Sequence, residues 1–183
     1  MAAAQGWHSR GYLPHFDSPE IVQHVVIRTR GSLPPAVMDL LPPDIAARRR
    51  AAGDMLDRLQ HGNALENPVA REIVEAALLY FDGIRYRLLA WCVMPNHLHA
   101  VMEQAPDSPL GGIVKSWKTF TTLRVNAAMA TSGPLWALDY FDRYVRSERQ
   151  LANTIAYVEA NPVRAGLVKD ARDWQHSSAR LRT

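Results

Sequence analysis

The sequence predicts an α+β fold in which helices lie on one face of an antiparallel sheet. Its 183 residues contain segments of strand and helix character in the order strand, helix, strand, strand, helix, strand, helix. This order is typical of a ferredoxin-like sandwich. The composition, 48% hydrophobic and 21% charged, indicates a globular chain with a sizeable core and excludes global disorder. We therefore expect a single domain over residues 1–183.

The first strand and a basic helix are predicted in the N-terminal third. Residues 21–31 are rich in β-branched side chains and close with Gly31, which is typical of a strand that ends in a turn. Residues 32–44 contain four prolines, so we expect a loop with at most one helical turn. Residues 44–60 follow as a basic amphipathic helix.

A capped helix and a strand pair are predicted in the middle of the chain. Residues 67–83 show helical spacing of apolar positions, with Asn67 as N-cap and Pro68 in the first turn. Residues 84–104 contain two strand-like runs that meet at "MPN". A Pro-Asn pair between apolar runs is typical of a turn.

The C-terminal part ends in a well-marked helix. Ser147 followed by Gln150 forms a capping-box pattern at its start. Pro162 disfavours a helical backbone at Asn161, so the helix should end there. We expect a helix over 113–130 and another over 147–162. The segment 133–147 between them can be either a strand or a loop. Residues 163–183 should form a turn followed by a partly ordered tail.

Composition also bears on location and partners. Cys92 is the one cysteine, which excludes an internal disulfide and a CxxC metal site and predicts a buried thiol in a reducing compartment. Neither a signal-peptide pattern nor a run of roughly 20 apolar residues is visible, so we expect a cytoplasmic protein without a membrane partner. The net charge of +3 is a mild indication of an anionic partner.

The stretch "MPNHLHAVM", residues 94–102, places two histidines in an apolar strand. Because successive strand side chains alternate between faces, His97 and His99 point the same way, roughly 7 Å apart at the backbone, and Leu98 points to the other face. Two such imidazoles can converge on one cation, but they need a third ligand from elsewhere. The alternative is a pair of histidines that are hydrogen-bonded at the sheet edge and bind no metal.

A tyrosine and an asparagine on the last helix are candidates for further chemistry. Tyr157 and Asn161 are four residues apart and share one helical face. They flank the apolar stripe of Leu151, Ile155 and Val158, so a hydroxyl and an amide oxygen could both reach the sheet. Without such a role, Tyr157 would be a packing residue and Asn161 a helix-end residue before proline.

Several segments of the chain carry a family resemblance. The segments "WCVMPNHLHAVM", "IVKSWKTFTT", "YFDRYVRSERQLANTIAYVEANPVRAGLV" and "DWQHSSA" follow one another in this order, after the opening "GWHSRGYLPHFD". This set resembles the REP-associated tyrosine transposases, bacterial relatives of the single-tyrosine HUH transposases of insertion sequences. The resemblance covers nearly the whole chain. It implies the HUH nuclease fold, with His97 and His99 as metal ligands, Asn161 as third ligand and Tyr157 as nucleophile.

The resemblance also implies an activity. Tyr157, a phenol whose ordinary pKa near 10 makes it a poor nucleophile unaided, would attack single-stranded DNA with the help of Mg²⁺ or Mn²⁺. A covalent 5′-phosphotyrosine would form, and the freed 3′ hydroxyl could later rejoin the strand, so the enzyme would be both an endonuclease and a strand transferase. The expected substrate is a repetitive extragenic palindrome (REP), a hairpin with an adjacent single-stranded guide, and relatives act as monomers or dimers.

DNA contacts are expected from basic and aromatic side chains. Lys115 and Lys118, three residues apart near a helix start, would suit phosphate groups, although a solvated helix face is the alternative. We also expect the terminal extensions, about 1–20 and 165–183, to contact DNA. The candidates near the two ends of the chain are Trp7, Arg10, Tyr12, Arg164, Trp174, Arg180 and Arg182.

Other residues of the same types have weaker claims to a site. Tyr140 and Tyr144 are rival nucleophiles, but their spacing to Asn161 does not match. The spacing of the remaining N-terminal histidines, which are His8, His15 and His24, indicates no shared metal site.

Two other functions remain open at this point. One is a catalytically silent protein that binds REP DNA without cutting it. The other is a metal phosphoesterase that uses the HxH pair and needs no tyrosine. Glu159, a carboxylate two residues after Tyr157, has no role that the pattern assigns.

Overall fold

A small hairpin opens the described part of the chain. The computed structural model describes residues 6–9, 14–18, 21–58 and 62–182. Strands β1 (Gly6–Ser9) and β2 (Pro14–Asp17) pair antiparallel, with Trp7 in register with Phe16. The predicted DNA contacts Arg10 and Tyr12 lie outside the described residues.

The main sheet has the predicted ferredoxin-like order. The chain forms β3 (Val22–Arg28), α1 (Pro35–Asp39), α2 (Ile45–Arg58), α3 (Pro68–Leu79), β4 (Tyr86–Val93), β5 (His97–Gln104), α4 (Leu110–Met129), β6 (Phe141–Tyr144), α5 (Glu148–Glu159) and α6 (Asn161–Arg164). The four main strands pair antiparallel in the order β4-β5-β3-β6. With α3 between β3 and β4, and α4 between β5 and β6, this is the βαββαβ arrangement. The α+β class is confirmed.

The helix starts follow the capping signals in the sequence. The side chain of Asn67 accepts a hydrogen bond from the backbone N–H of Val69 at 2.9 Å, and Ser147 accepts from that of Gln150 at 3.2 Å. The end of α5 is also as predicted, but Asn161 itself has a helical backbone as the first residue of α6. Proline is well tolerated in the first turn of a new helix. Helix α5 therefore ends at Glu159, Ala160 separates the two helices, and α6 begins at Asn161.

One face of the sheet is covered by α3 and α4, as the sequence predicts. Strand residues that alternate onto this face, such as Val25, Trp91 and Leu98, pack with Val74 of α3 and Ile113 of α4. Leu98 is 1% exposed. It therefore anchors β5 in the core from the side opposite to the two histidines.

Helices α2 and α5 cover the other face, which adds a layer to the predicted sandwich. Val26 packs with Leu56 of α2, while Cys92 and Val101 pack with Val158 of α5. The central strands are apolar on both faces and therefore need cover on both. Cys92 is buried and forms no disulfide, as expected. Among the helices within the described ranges, none is long and apolar enough to cross a membrane.

The segment after α6 is an ordered part of the fold, which corrects the expectation of a partly ordered tail over 163–183. The N–H of Val93 donates to the carbonyl of His176 at 2.9 Å, and Ser177 forms a bridge with Cys92. The segment thereby covers the outer edge of β4, whose backbone groups would otherwise be unpaired. It contains two short 3-10 helices, Ala171–Asp173 and Ser178–Leu181.

Candidate active site

The hairpin between β4 and β5 positions the two histidines of the HxH pair. The N–H of Met94 donates to the carbonyl of His97 at 2.8 Å, which closes the turn at "MPN". His97 is 0% exposed and His99 is 1% exposed. Their rings lie on the same face of β5, as strand alternation predicts, and Leu98 lies on the other.

The two imidazole rings meet through their Nε2 atoms. The Nε2 of His97 is 2.9 Å from the Nε2 of His99, and the ring centroids are 4.7 Å apart. Burial lowers the pKa of His97 to about 3 and holds the pKa of His99 well below its usual range. Both rings are therefore neutral at pH 7, which is the form that binds a metal.

Asn161 completes this cluster from the α5–α6 break. Its Nδ2 lies 3.1 Å from the Nε2 of His99. The side chain is 0% exposed, so it lies deeper than the margin of the helix stripe where the sequence predicts it. Among the described residues its buried Oδ1 has no hydrogen-bond partner, which is costly for an amide oxygen in the interior. Within the described ranges, no three His, Cys, Asp or Glu side chains are grouped to hold a metal, and Asn161 as third ligand stays a prediction.

Tyr157 stands next to the histidines on α5. Its ring is edge-on to that of His99, with centroids 5.8 Å apart at 88°. The guanidinium of Arg164 lies 4.6 Å above the ring centroid. The hydroxyl of Tyr157 points toward α2, where a Cβ added to Gly53 would be 3.5 Å from the tyrosine Oη. The absence of a side chain at Gly53 thus leaves space around the hydroxyl.

The tyrosine and His99 line a large pocket with a basic wall. The pocket has a volume of about 840 Å³ and lies between α2, β3, β6 and α5. Asp54 and Asp142 are its acidic lining residues, and Asp54 is 3.4 Å from Arg164 at the pocket margin. The arginines that line it are Arg50, Arg143 and Arg146. A wide cavity with this lining can accept a phosphate-bearing chain.

A third histidine, which the sequence analysis set aside, belongs to the cluster. The Nε2 of His24 is 2.9 Å from the Nδ1 of His99, and the two rings stack with centroids 5.1 Å apart. Burial lowers the pKa of His24 to about 4. That His8, His15 and His24 share no metal site stays a prediction, but His24 contacts His99 directly. Only the pairing of β3 with β5 brings these residues together, and residue spacing cannot reveal that pairing.

Asn96 supports the other histidine and was recognised only as a turn residue. Its Oδ1 lies 2.7 Å from the Nδ1 of His97, and its Nδ2 donates to the carbonyl of Leu56 at 3.0 Å. Because the amide nitrogen is used by Leu56, the amide oxygen must accept the proton of His97 Nδ1. The Nε2 of His97 is thus left with a lone pair.

The two rival tyrosines are placed differently. Tyr140 is buried in the core on the face of α3 and α4, away from the histidines. Tyr144 lines the pocket, and its hydroxyl accepts a hydrogen bond from Arg146 at 2.6 Å. Tyr144 is therefore the tyrosine against which the role of Tyr157 must be tested.

Lys115 and Lys118, the predicted DNA contacts, do not lie at the pocket. Both are on α4, which covers the opposite face of the sheet. Lys118 donates to the carbonyls of Ala137 and Leu138, each at 3.0 Å, and burial lowers its pKa to about 8. Lys115 is exposed. Contact of either with DNA stays a prediction, and it would require a strand on the far side of the sheet.

The basic and aromatic residues of the C-terminal segment are engaged within the protein. The indole N–H of Trp174 donates to a β4 carbonyl at 3.0 Å. Arg180 contacts Glu75 at 2.7 Å, and Arg182 contacts Glu159 at 2.9 Å. Their predicted contact with DNA remains a prediction, and these internal bonds limit how far the side chains can reach.

Glu159 acquires a structural role from this arrangement. Its carboxylate accepts hydrogen bonds from the hydroxyl of Ser178 at 2.6 Å and from Nε of Arg182 at 2.9 Å. The carboxylate therefore ties α5, the helix that carries Tyr157, to the C-terminal segment.

Comparison with known proteins agrees with this fold. The model of the family described as IS200-like transposases matches residues 60–161. A relative from Haemophilus influenzae is 25% identical over 103 residues, which cover 51% of this chain and 58% of the relative. One from Escherichia coli is 22% identical over 95 residues, which cover 51% and 54%. Both carry the words REP-associated tyrosine transposase in their names, and the matches span little more than half of their length.

A solved structure extends the comparison to the fold. A REP-associated tyrosine transposase bound to a REP hairpin superposes with a TM-score of 0.64 at 15% identity. The match covers 92% of this chain and 82% of that one. At this identity the likeness concerns the fold, which is shared along nearly the whole chain.

Proposed function

Because this chain belongs to the family of IS200-like transposases, we propose that it is a metal-dependent endonuclease and strand transferase that acts on single-stranded DNA through Tyr157. One observation carries the proposal. His97, His99, Asn161 and Tyr157 come from two distant parts of the sequence and meet beside one basic pocket. All four meet within one chain, and the protein would act as a monomer or a dimer.

The residues present fit a divalent cation. Two neutral Nε2 atoms lie 2.9 Å apart. The amide of Asn161 lies beside them, with its Nδ2 3.1 Å from the Nε2 of His99 and with a buried Oδ1 that has no partner among the described residues. A half turn of this amide would bring Oδ1 to the same place, and two nitrogen donors with one oxygen donor are a mixed set compatible with Mg²⁺ or Mn²⁺. When bound, such an ion would polarise a phosphate and neutralise charge that develops on it.

Tyr157 would supply the nucleophile. Its Oη forms a bond to phosphorus as the bond from phosphorus to the 3′ oxygen breaks, the phenolic proton leaves to solvent, and the 3′ oxygen takes up a proton. The guanidinium of Arg164, 4.6 Å above the ring centroid, favours negative charge on the phenol. In the reverse direction, a 3′ hydroxyl attacks the phosphotyrosine and restores the phosphodiester, so cleavage and joining use the same groups.

The basic pocket would hold the strand. Arg50, Arg143 and Arg146 line it together with Tyr144, so phosphates and bases would both find partners. We propose a REP hairpin as the substrate, as the names of the relatives suggest. With genomic DNA as the substrate, the proposed location is the cytoplasm.

The test is a covalent-complex assay. Labelled single-stranded DNA that carries a REP hairpin and its flanks is incubated with protein and Mn²⁺ and is then separated on denaturing gels. We expect a protein–DNA band that is lost in Tyr157→Phe and kept in Tyr144→Phe. Affinity for the hairpin should be nearly unchanged in Tyr157→Phe, because only the hydroxyl is removed.

The other outcomes identify the rival functions. Binding without any covalent band in the wild type would identify a protein that holds DNA without cutting it. Cleavage that survives Tyr157→Phe but requires His97 and His99 would identify a metal phosphoesterase. A band lost in Tyr144→Phe and kept in Tyr157→Phe would assign the nucleophile to β6.

A further inference from the structure

We infer that His24 is a positioning residue that lets His99 present its Nε2 lone pair to a metal ion, an inference that rests on the proposed function. His24 would do so by accepting the proton that His99 carries on Nδ1. It is not proposed as a metal ligand, because it approaches His99 from the Nδ1 side of the ring. The proposed ligands meet at the Nε2 side.

The proton arrangement without metal can be read from the contacts. The Nδ1 of His97 donates to Asn96 Oδ1, so the Nε2 of His97 has a lone pair. The Nε2 of His99 is 2.9 Å from that lone pair. The Nδ2 of Asn161, an N–H donor, lies 3.1 Å from the same Nε2 of His99, so this Nε2 accepts and the neutral ring of His99 carries its proton on Nδ1. That Nδ1–H then donates to the Nε2 of His24, 2.9 Å away.

Metal binding requires the same arrangement at His99. To offer Nε2 as a ligand, the neutral ring must carry its proton on Nδ1. That proton needs an acceptor, since a buried N–H without a partner is costly. The Nε2 of His24, 2.9 Å away, is the acceptor when His24 carries its own proton on Nδ1. Each ring keeps one proton, so both rings stay neutral.

The two proposed histidine ligands therefore differ in how they are supported. His97 is held by an amide whose nitrogen is fixed on Leu56 at 3.0 Å, so its tautomer is set before any metal arrives. His99 is held by another imidazole, which can either donate or accept. Residues that orient metal ligands in this way usually change metal affinity by 10- to 100-fold when they are removed.

The fold explains why this position can do so. Val26 pairs with His99 in the β3–β5 register, so His24 lies two residues along on the same face, within reach as a diagonal neighbour. The ring of His24 also lines the pocket. The contact is fixed by strand pairing and does not depend on a loop.

The experiment compares two variants of the full-length protein. His24→Leu removes the acceptor, while His24→Gln keeps an amide that can donate or accept. Mn²⁺ binding is measured from the electron paramagnetic resonance signal of free Mn²⁺. We expect His24→Leu to weaken binding about 10- to 100-fold and His24→Gln to recover most of it. His176→Leu, which removes a histidine hydrogen-bonded to Glu75 outside the cluster, should leave binding unchanged.

A spectroscopic readout separates positioning from mere packing. Two-bond ¹H–¹⁵N correlation spectra with and without Mg²⁺ report which nitrogen of each histidine carries the proton. In the wild type we expect His99 to carry its proton on Nδ1, both without Mg²⁺ and when Mg²⁺ is bound. An Nε2–H form of His99 at saturating Mg²⁺ would overturn the inference, as would equal Mn²⁺ affinity in the wild type and His24→Leu.

His97→Ala distinguishes failure of the inference from failure of the proposed function. If His97→Ala abolishes Mn²⁺ binding but His24→Leu does not weaken it, the metal site stands and the role of His24 falls. If the wild type binds no Mn²⁺ and forms no covalent complex, the proposed function falls and the inference falls with it. Thermal unfolding without metal identifies any variant that has lost its fold. If His24→Leu is such a variant, the Mn²⁺ affinity of His24→Gln decides whether His24 has the inferred role.

Discussion

Replacing Glu75 by alanine should release the C-terminal segment from the sheet. The side chain is 7% exposed on α3. Its carboxylate accepts from the indole N–H of Trp91 at 2.8 Å and from Arg180 at 2.7 Å, and it lies 3.2 Å from Nδ1 of His176. Two of these partners belong to the segment after residue 170, so this one carboxylate joins α3, β4 and that segment.

Two losses set the magnitude of the effect. The charge-assisted bond from Arg180 contributes about 1.5 kcal/mol, the low end of its range, because that side chain is 29% exposed. The indole of Trp91, 6% exposed, would keep a donor without a partner, which costs about 1–3 kcal/mol. We expect Glu75→Ala to lower the free energy of unfolding by about 3 kcal/mol. For a chain of this length that shifts Tm by about 6–12 °C.

Urea unfolding and limited proteolysis measure the two parts of this prediction. Glu75→Gln is the matched control, because its amide oxygen still accepts from Trp91, and we expect it to lose only about 1 kcal/mol. In Glu75→Ala, cleavage sites after residue 170 should become accessible before those in the sheet. A loss below about 1 kcal/mol, or a segment still protected, would show that the carboxylate does not hold the segment.

Substitutions at two further positions, Leu98 and Gly53, test the packing around the site. Leu98 is 1% exposed, so Leu98→Ala should lower the free energy of unfolding in urea by about 2–5 kcal/mol and weaken Mn²⁺ binding. Leu123 is 67% exposed, and Leu123→Ala should change neither quantity. Equal effects of the two substitutions would contradict the reasoning. Gly53→Ala should keep the covalent-complex rate, because its Cβ would lie in ordinary contact 3.5 Å from Oη of Tyr157. Gly53→Leu should lower that rate by crowding the hydroxyl, and a full rate in Gly53→Leu would place the reacting oxygen elsewhere.

The strand and helix pattern was predictable because it depends on neighbours in sequence. Alternation along β5 placed Leu98 in the core and the two histidines on one face. Capping oxygens at Asn67 and Ser147 marked the starts of α3 and α5, and both accept the expected hydrogen bonds. Local rules therefore predicted the long helices, β3, β4 and β5, whereas β1 and β2 were not predicted and β6 lies in a segment left open between strand and loop.

The contacts that could not be predicted join residues that are distant in the sequence. His24 contacts His99 across 75 residues, and Asn96 reaches Leu56 across 40. No local periodicity encodes these contacts. The layer formed by α2 and α5 could not be predicted for a related reason. In the sequence, apolar residues on both faces of β4 and β5 form one continuous apolar run, which does not indicate the helices that cover each face.

The position of Asn161 directly after α5 has a consequence for the order in which the proposed site forms. The HxH pair is complete at residue 99, whereas Asn161, which meets His99 across 62 residues, follows the helix that carries Tyr157. During synthesis the histidine pair is therefore made well before Tyr157, the proposed nucleophile. If the proposed function is correct, a nascent chain that ends before α5 has no group with which to cut a strand. The proposed activity would arise last, when α5 and α6 cover the sheet.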